Sequence, residues 1–412
     1  MKRYITGILL MLIGFTSPLY SQPKEIFFEI AERAVKEDDW SKAIENYTIA
    51  ISKDTMYYKA YIGRAMVYQG KETYDLAIID YDKALKIDAS NPEQFVLRGD
   101  SYKAQENMEA ALKDYSKAIK MNPKYEDAFL KRGELFLAMD KQQDAISDFA
   151  AILKLNKNNI DVYRNLAKIN LDNGNMEHAL MDFTNIINLD PKNAEAFFSR
   201  GKIHMDMGSY AEAVEDFNST ILYEYQETNV YLLRARSYVI LKQYQKGIED
   251  FNRLINQFKQ DDPDLLMERG IAYRESGALP KSILDFSTAI MRDEKSKYHI
   301  ERAVTYEKQT KVEMMAADYS RAIEIDPENW EIYLRRAQYY FNQKNFKAAI
   351  PDCSRAIKIS DNMEAYFLRG KCYYMTKEND AMCKDLNSAA KMGHKEAKER
   401  VFLLCYHKRK KK

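Results

Sequence analysis

Residues 92–123 read PEQFVLRGDSYKAQENMEAALKDYSKAIKMNP. In this stretch Gly99 stands twelve residues before Ala111, and Ala111 four before Tyr115. The same spacing recurs on both sides. The pairs Ala43/Tyr47, Ala77/Tyr81, Ala111/Tyr115, Ala145/Phe149, Ala179/Phe183 and Ala213/Phe217 follow one another at 34 residues. Gly247/Phe251, Ser282/Phe286, Met315/Tyr319, Ala349/Cys353 and Met382/Leu386 continue at intervals of 34, 35, 33, 34 and 33. Twelve positions before each lies a small residue: Ala31, Ala65, Gly99, Gly133, Ala167, Gly201, Ala235, Gly270, Ala303, Ala337 and Gly370. A small residue lets two helix backbones approach, and an aromatic fills the space beside them. Each unit therefore reads as a helix-turn-helix hairpin that must stack on its neighbours to bury its apolar face.

Composition agrees with this reading and excludes others. Among 412 residues, 14 Gly and 9 Pro are too few for a collagen-like or linker-like chain. Apolar residues reach 46%, enough for a core. Lys and Arg number 63 against 62 Asp and Glu, a formal charge of +1, which argues against a general nucleic-acid binder. Pro280 falls in the first turn of a second helix, where it is tolerated. Pro351 falls several residues into the second helix of the tenth unit and is expected to kink or loosen it.

Phe95, Arg98, Gly99, Tyr102, Ala111, Tyr115 and Pro123 resemble the tetratricopeptide repeat (TPR) pattern W-x2-L-G-x2-Y, A-x3-F, P. The Pro also matches at Pro191 and Pro327. The resemblance covers residues 24 to 393 and implies an all-α, right-handed superhelical solenoid of about eleven units. Its ends depart from the pattern: unit one has Ala34 in place of an aromatic, and unit eleven carries Met382 and Leu386. The sequence beyond, 394–405, has Ala397, Val401 and Leu404 at helical spacing and is expected to form a cap helix.

The residue before the small position is Arg in nine units: Arg64, Arg98, Arg132, Arg200, Arg234, Arg269, Arg302, Arg336 and Arg369. The residue before the second-helix aromatic position is Asp in ten: Asp80, Asp114, Asp148, Asp182, Asp216, Asp250, Asp285, Asp318, Asp352 and Asp385. The two positions lie at similar heights on an antiparallel hairpin. An interhelical ion-pair ladder is the expected use, because a guanidinium fork pairs a carboxylate bidentately. The rival reading is a track of free arginines for an anionic ligand.

By the resemblance, the first helices line a concave groove in which family members commonly bind peptides. Lys168, Lys202 and Arg236 make a basic strip, with Arg164 one turn from Lys168. Leu171, Phe198, Met205, Leu232 and Val239 lie near it. This set is expected to hold an acidic, apolar peptide or a C-terminal carboxylate. Its competitor is a solvated face with unselected charges. The Lys/Asn order of the chaperone-tail carboxylate clamp is not present. A second candidate patch is Leu334, Phe341, Phe367, Tyr374 and Met375, unless the cap covers it.

Lys2 and Arg3, the apolar run Ile5–Phe15 and the polar end Thr16–Ser21 have the layout of a secretory signal peptide over residues 1–21. The expected destination is periplasmic or extracellular, with envelope association. Export into an oxidising compartment makes Cys383–Cys405 a candidate disulfide that staples the cap, against two buried thiols. Cys353–Cys372 is a weaker candidate pair. The basic tail, residues 406–412 with Lys408–Lys412, either meets an anionic surface or simply solubilises the end. No P-loop, dinucleotide fingerprint, HExxH or GxSxG occurs, and the five His show no metal-ligand spacing. The reading is of a non-catalytic envelope scaffold, without cofactor or metal, that binds a protein or peptide and no nucleic acid. The alternatives are a peripheral membrane or polyanion adaptor working through the tail, and an accessory subunit of an envelope enzyme. Homo-oligomers fit any of these.

Overall fold

Apolar stripes at helical spacing, broken every sixteen or so residues by a polar turn, fold as paired antiparallel helices. The computed structural model describes residues 23–225 and 228–406. The signal-peptide expectation and the charged run from His407 onward lie outside the described residues. Among those described there are 23 α-helices and no strands. No described helix is long and apolar enough to cross a membrane.

The chain divides into two units, residues 1–191 and 192–412. The first carries five hairpins, from Lys24–Lys36 with Trp40–Lys53 to Ile160–Asp172 with Met176–Leu189. The second carries six, from Ala194–Asp206 with Tyr210–Leu222 to Met363–Thr376 with Asn379–Lys391. A short helix, Lys395–Val401, and a π-helical turn, Phe402–Tyr406, close the described chain. The interval of 35 between Gly247 and Ser282 has a structural counterpart. Helix Tyr244–Asn252 and the π-helical turn Arg253–Gln257 together run as long as Trp40–Lys53, and the extra residue falls in the connection 258–262.

The small residue and the aromatic meet as the spacing requires. A Cβ built on Gly133 would stand 2.6 Å from the Phe149 ring, and one on Gly99 would stand 2.7 Å from Tyr115. Tyr47, Tyr81, Tyr115, Phe149, Phe217, Phe251, Phe286 and Tyr319 are all fully buried. Three of these tyrosines have a partner for the hydroxyl. Tyr47 Oη donates to Glu32 at 2.7 Å, Tyr81 to Gln69 at 2.9 Å and Tyr115 to Asp100 at 2.7 Å.

Every hairpin turn uses one left-handed residue. In the first unit these are Asp38, Glu72, Glu106, Asp140 and Gly174, with φ between 56° and 73°. The next residue donates its N–H back to the end of the first helix, for example Thr73 to Tyr68 O at 2.9 Å and Asn107 to Tyr102 O at 2.9 Å. This is the 6→1 bond of a Schellman motif, satisfying a carbonyl the helix leaves free. Only some of these positions are glycine, so the repeat spacing, rather than a glycine signal, marks the turn.

Helix Phe346–Ile359 runs without interruption through Pro351. The proline therefore does not end the helix.

Candidate functional site

The nine arginines are occupied. Nε and one terminal nitrogen of each fork onto the Asp sixteen residues later, at 2.6–2.9 Å in all nine hairpins. The other terminal nitrogen often reaches back to the preceding hairpin. Arg98 meets Asp82 at 2.6 Å, Arg132 Ser116 at 3.1 Å, Arg234 Asn218 at 2.6 Å and Arg336 Ser320 at 2.9 Å. The acceptor is the residue just after the second-helix aromatic. Sequence reasoning missed that position, although its run of Ser, Thr, Asn and Asp was the signal. The guanidinium also lies over aromatic rings of its own helix, as Arg132 does over Phe129 and Phe136 at 5.7 Å. The reading of these arginines as a free anion track is therefore set aside.

The tenth aspartate is the exception. In the fifth hairpin Leu166 stands where the other rungs have Arg. Asp182 accepts instead from Asn170 Nδ2 at 2.9 Å. Burial pushes its carboxyl above the usual range, and the asparagine bond only partly opposes this.

The expected groove residues fall in both units. In the first, Arg164 and Lys168 are exposed, and Arg164 is tied to Asp161 on its own helix at 2.6 Å. In the second, Phe198 is half-buried against Tyr225 and Phe217, with ring centroids at 5.2 and 6.2 Å. Lys202 is exposed, its Nζ 5.7 Å from the Phe198 ring. Leu232 is half-buried against the core around Ala235, Ile248 and Phe251. Arg236 differs from the expectation. Its fork takes Glu268 of the next hairpin at 2.8 and 2.6 Å, a bond that raises its pKa. The carboxylate offsets the charge, so Arg236 is not an open cation of a basic strip.

Beside that ion pair lies a cleft of about 480 Å³. Met205, Tyr210, Val239, Ile240, Phe251 and Ile271 line it, with Asp206, Arg236 and Glu268 at hand. Three successive hairpins supply these side chains, mainly through their first helices. Met205 and Val239 were among the expected residues; Ile240 and Ile271 were not. Their signal was available as apolar residues on the first helices.

The second expected patch is partly core. Phe367 is buried, its ring 4.0 Å from that of His394. His394 caps the last helix by accepting the Ala397 N–H at Nδ1, 3.2 Å. Phe367 joins Met382, Leu386, Ala397 and Val401 in one cluster, so the end of the chain covers it. Leu334 and Phe341 are half-buried, and Tyr374 is exposed. Leu334 and Phe367 border a cleft of about 520 Å³ together with Trp330, Arg335, Glu364 and Lys371.

Cys383 and Cys405 are joined by a disulfide, with Cα atoms 5.7 Å apart. Cys353 and Cys372 are unpaired and fully buried, so the weaker candidate bridge is absent. Burial pushes both thiols up, that of Cys372 to about 12. Among the described residues no group of three His, Cys, Asp or Glu is placed to hold a metal ion.

Tetratricopeptide repeat models match residues 28–92, 164–227 and 316–364, and further ones match 127–159 and 296–329. A TPR repeat model matches residues 99–140. Stacked hairpins of this kind define a class of protein-interaction scaffold, generally non-catalytic. The chain belongs to the tetratricopeptide repeat family. Among solved structures, a tetratricopeptide repeat protein from Parabacteroides merdae is similar at 21% identity, over 60% of this chain and 98% of that one, with a TM-score of 0.44. YrrB, described as a TPR protein with an unusual peptide-binding site, is similar at 22% identity, over 46% and 97%, with a TM-score of 0.37. MamA from Desulfovibrio magneticus is similar at 19% identity, over 41% and 96%, with a TM-score of 0.39. No curated protein sequence matches the chain.

Proposed function

We propose that the protein is a non-catalytic scaffold of the cell envelope that holds an apolar segment of a protein partner in the cleft along Met205, Val239, Ile240 and Ile271. The cleft carries this reading. It is concave, its lining is mostly apolar, and first helices of three successive hairpins build it. Exposed Ile240 gives it an apolar lip that a free chain gains by covering. Lys202 belongs to the same unit and is the exposed cation that orients an acidic flank of the partner; Arg236 and Glu268 form a neutral pair at the edge. The layout of residues 1–21 supports placement in the envelope, and so does the disulfide at the far end of the chain.

The test is in-cell crosslinking read by mass spectrometry, comparing wild type with Lys202→Glu, Ile240→Glu. Both side chains are exposed, so circular dichroism is expected to be unchanged. A partner captured by wild type and lost in the variant supports the cleft as the contact. The same partners captured by both would remove it.

A further inference from the structure

The ladder also fixes each hairpin on the one before it. In the first unit the second terminal nitrogen of Arg64 reaches back to Thr48 at 2.8 Å, that of Arg98 to Asp82 at 2.6 Å and that of Arg132 to Ser116 at 3.1 Å. In the second unit the five ladder arginines from Arg234 to Arg369 make the same bond at 2.6–2.9 Å. Within either unit, one contact between successive hairpins lacks it. That contact joins the fourth hairpin, Glu126–Ala138 with Gln142–Leu155, to the fifth, Ile160–Asp172 with Met176–Leu189. Leu166 replaces the donor there and Ala150 the acceptor. Both ends of the bond are lost together, so neither strands the other. The middle of the contact is apolar instead: Val162, Leu166 and Ile169 pack against Phe149 and Ile152. Two amide bonds remain near its edges. Asn159 Nδ2 reaches Glu126 only at 3.5 Å, and Asn173 Nδ2 donates to Gln142 at 3.1 Å on the exposed side.

We infer that the contact between the fourth and fifth hairpins is a sliding joint, the place at which the first unit changes shape. A guanidinium bonded to its own hairpin and to the preceding one holds three helices in one geometry, because charge-assisted bonds are directional. Apolar contact is not directional. It resists separation of the two surfaces but tolerates a shift of one along the other, the motion by which packed helices shear. In a stack where each hairpin touches mainly its neighbours, a displacement collects at the contact that is not pinned. The other three contacts of the first unit are pinned, so the fifth hairpin moves against the four before it. The inference concerns the first unit alone and does not depend on the peptide-binding reading.

The experiment is pulsed electron paramagnetic resonance on the full chain, spin-labelled at pairs of introduced cysteines. Ile79, Lys113, Ser147 and Met181 are exposed and occupy one position of four successive second helices. Cys353 and Cys372 are fully buried and the other two cysteines are bonded, so the label goes to the introduced sites. Ile79→Cys with Ser147→Cys spans two pinned contacts. Lys113→Cys with Met181→Cys spans one pinned contact and the apolar one, and its distance distribution is expected to be roughly twice as broad. Ala150→Ser with Leu166→Arg restores the acceptor and the donor, with Asp182 at hand for the fork. It is expected to narrow the second distribution to the width of the first. Ser116→Ala leaves the Arg132–Asp148 fork in place and removes only the bond to the preceding hairpin. It is expected to broaden the first distribution. Equal widths for the two pairs without further substitution would overturn the proposal. So would a restored variant that folds, by circular dichroism, and stays broad. If the arginine variant does not fold, an unchanged width in Ser116→Ala overturns it in the same way.

Discussion

At the scale of single residues, the ladder shows how position decides what a charge does. Asp148 is almost fully buried and takes both nitrogens of the Arg132 fork. Removing one partner leaves an uncompensated buried charge, whereas removing both does not. Arg132→Met is expected to destabilise by about 3–5 kcal/mol, and Arg132→Met with Asp148→Leu by much less, as read from denaturant unfolding. Asp182 makes the opposite case. Its carboxyl lies above its unfolded value because burial outweighs the Asn170 bond and the attraction of His178. Ionisation in the folded state is therefore unfavourable. The stability linked to this group is present at low pH and falls as pH rises past the unfolded carboxylate value near 4. Asp182→Asn keeps an acceptor for Asn170 and is expected to melt higher than wild type at pH 7, with the gap closing by pH 3. An equal gap at both pH values would rule out an ionisation effect.

At the scale of elements, the turns and the cap carry separable terms. Glu106 holds φ at 61°, where an L side chain is strained by about 1–2 kcal/mol. Glu106→Gly relieves that strain but adds unfolded-chain entropy. A net gain of up to about 1 kcal/mol is expected in thermal unfolding. The cap rests on Ala397 and Val401 and on the bridge between Cys383 and Cys405, which closes a loop of 22 residues. On the chain-entropy model such a loop is worth about 3 kcal/mol. Cys383→Ser, Cys405→Ser is expected to raise hydrogen exchange over Lys395–Tyr406 and over Asn379–Lys391, which it covers. Unchanged exchange there would mean that apolar packing alone holds the cap.

At the scale of the whole molecule, stability is distributed along the stacks. Hairpins touch mainly their neighbours, so damage spreads by interfaces and fades with distance. Arg132→Met is expected to lose exchange protection most over Glu126–Leu155, less over Glu93–Met121 and Ile160–Leu189, and not over Lys24–Lys53. Uniform loss across residues 23–191 would instead indicate one cooperative block. The same locality explains what could be read in advance. The sequence alone determined the hairpins, the register of small residue against aromatic, and the ladder, because these contacts recur at one fixed spacing: Arg to Asp is always sixteen residues. Tertiary structure alone decided which groove charges stay open. Glu268 reaches Arg236 from 32 residues away, in a different hairpin, at a position that carries no repeated signal. It also decided that Phe367 is core, because His394 and the last helix fold back over it. Contacts that repeat are legible from spacing. Contacts made once, between neighbouring hairpins or at an end, depend on where side chains meet in space.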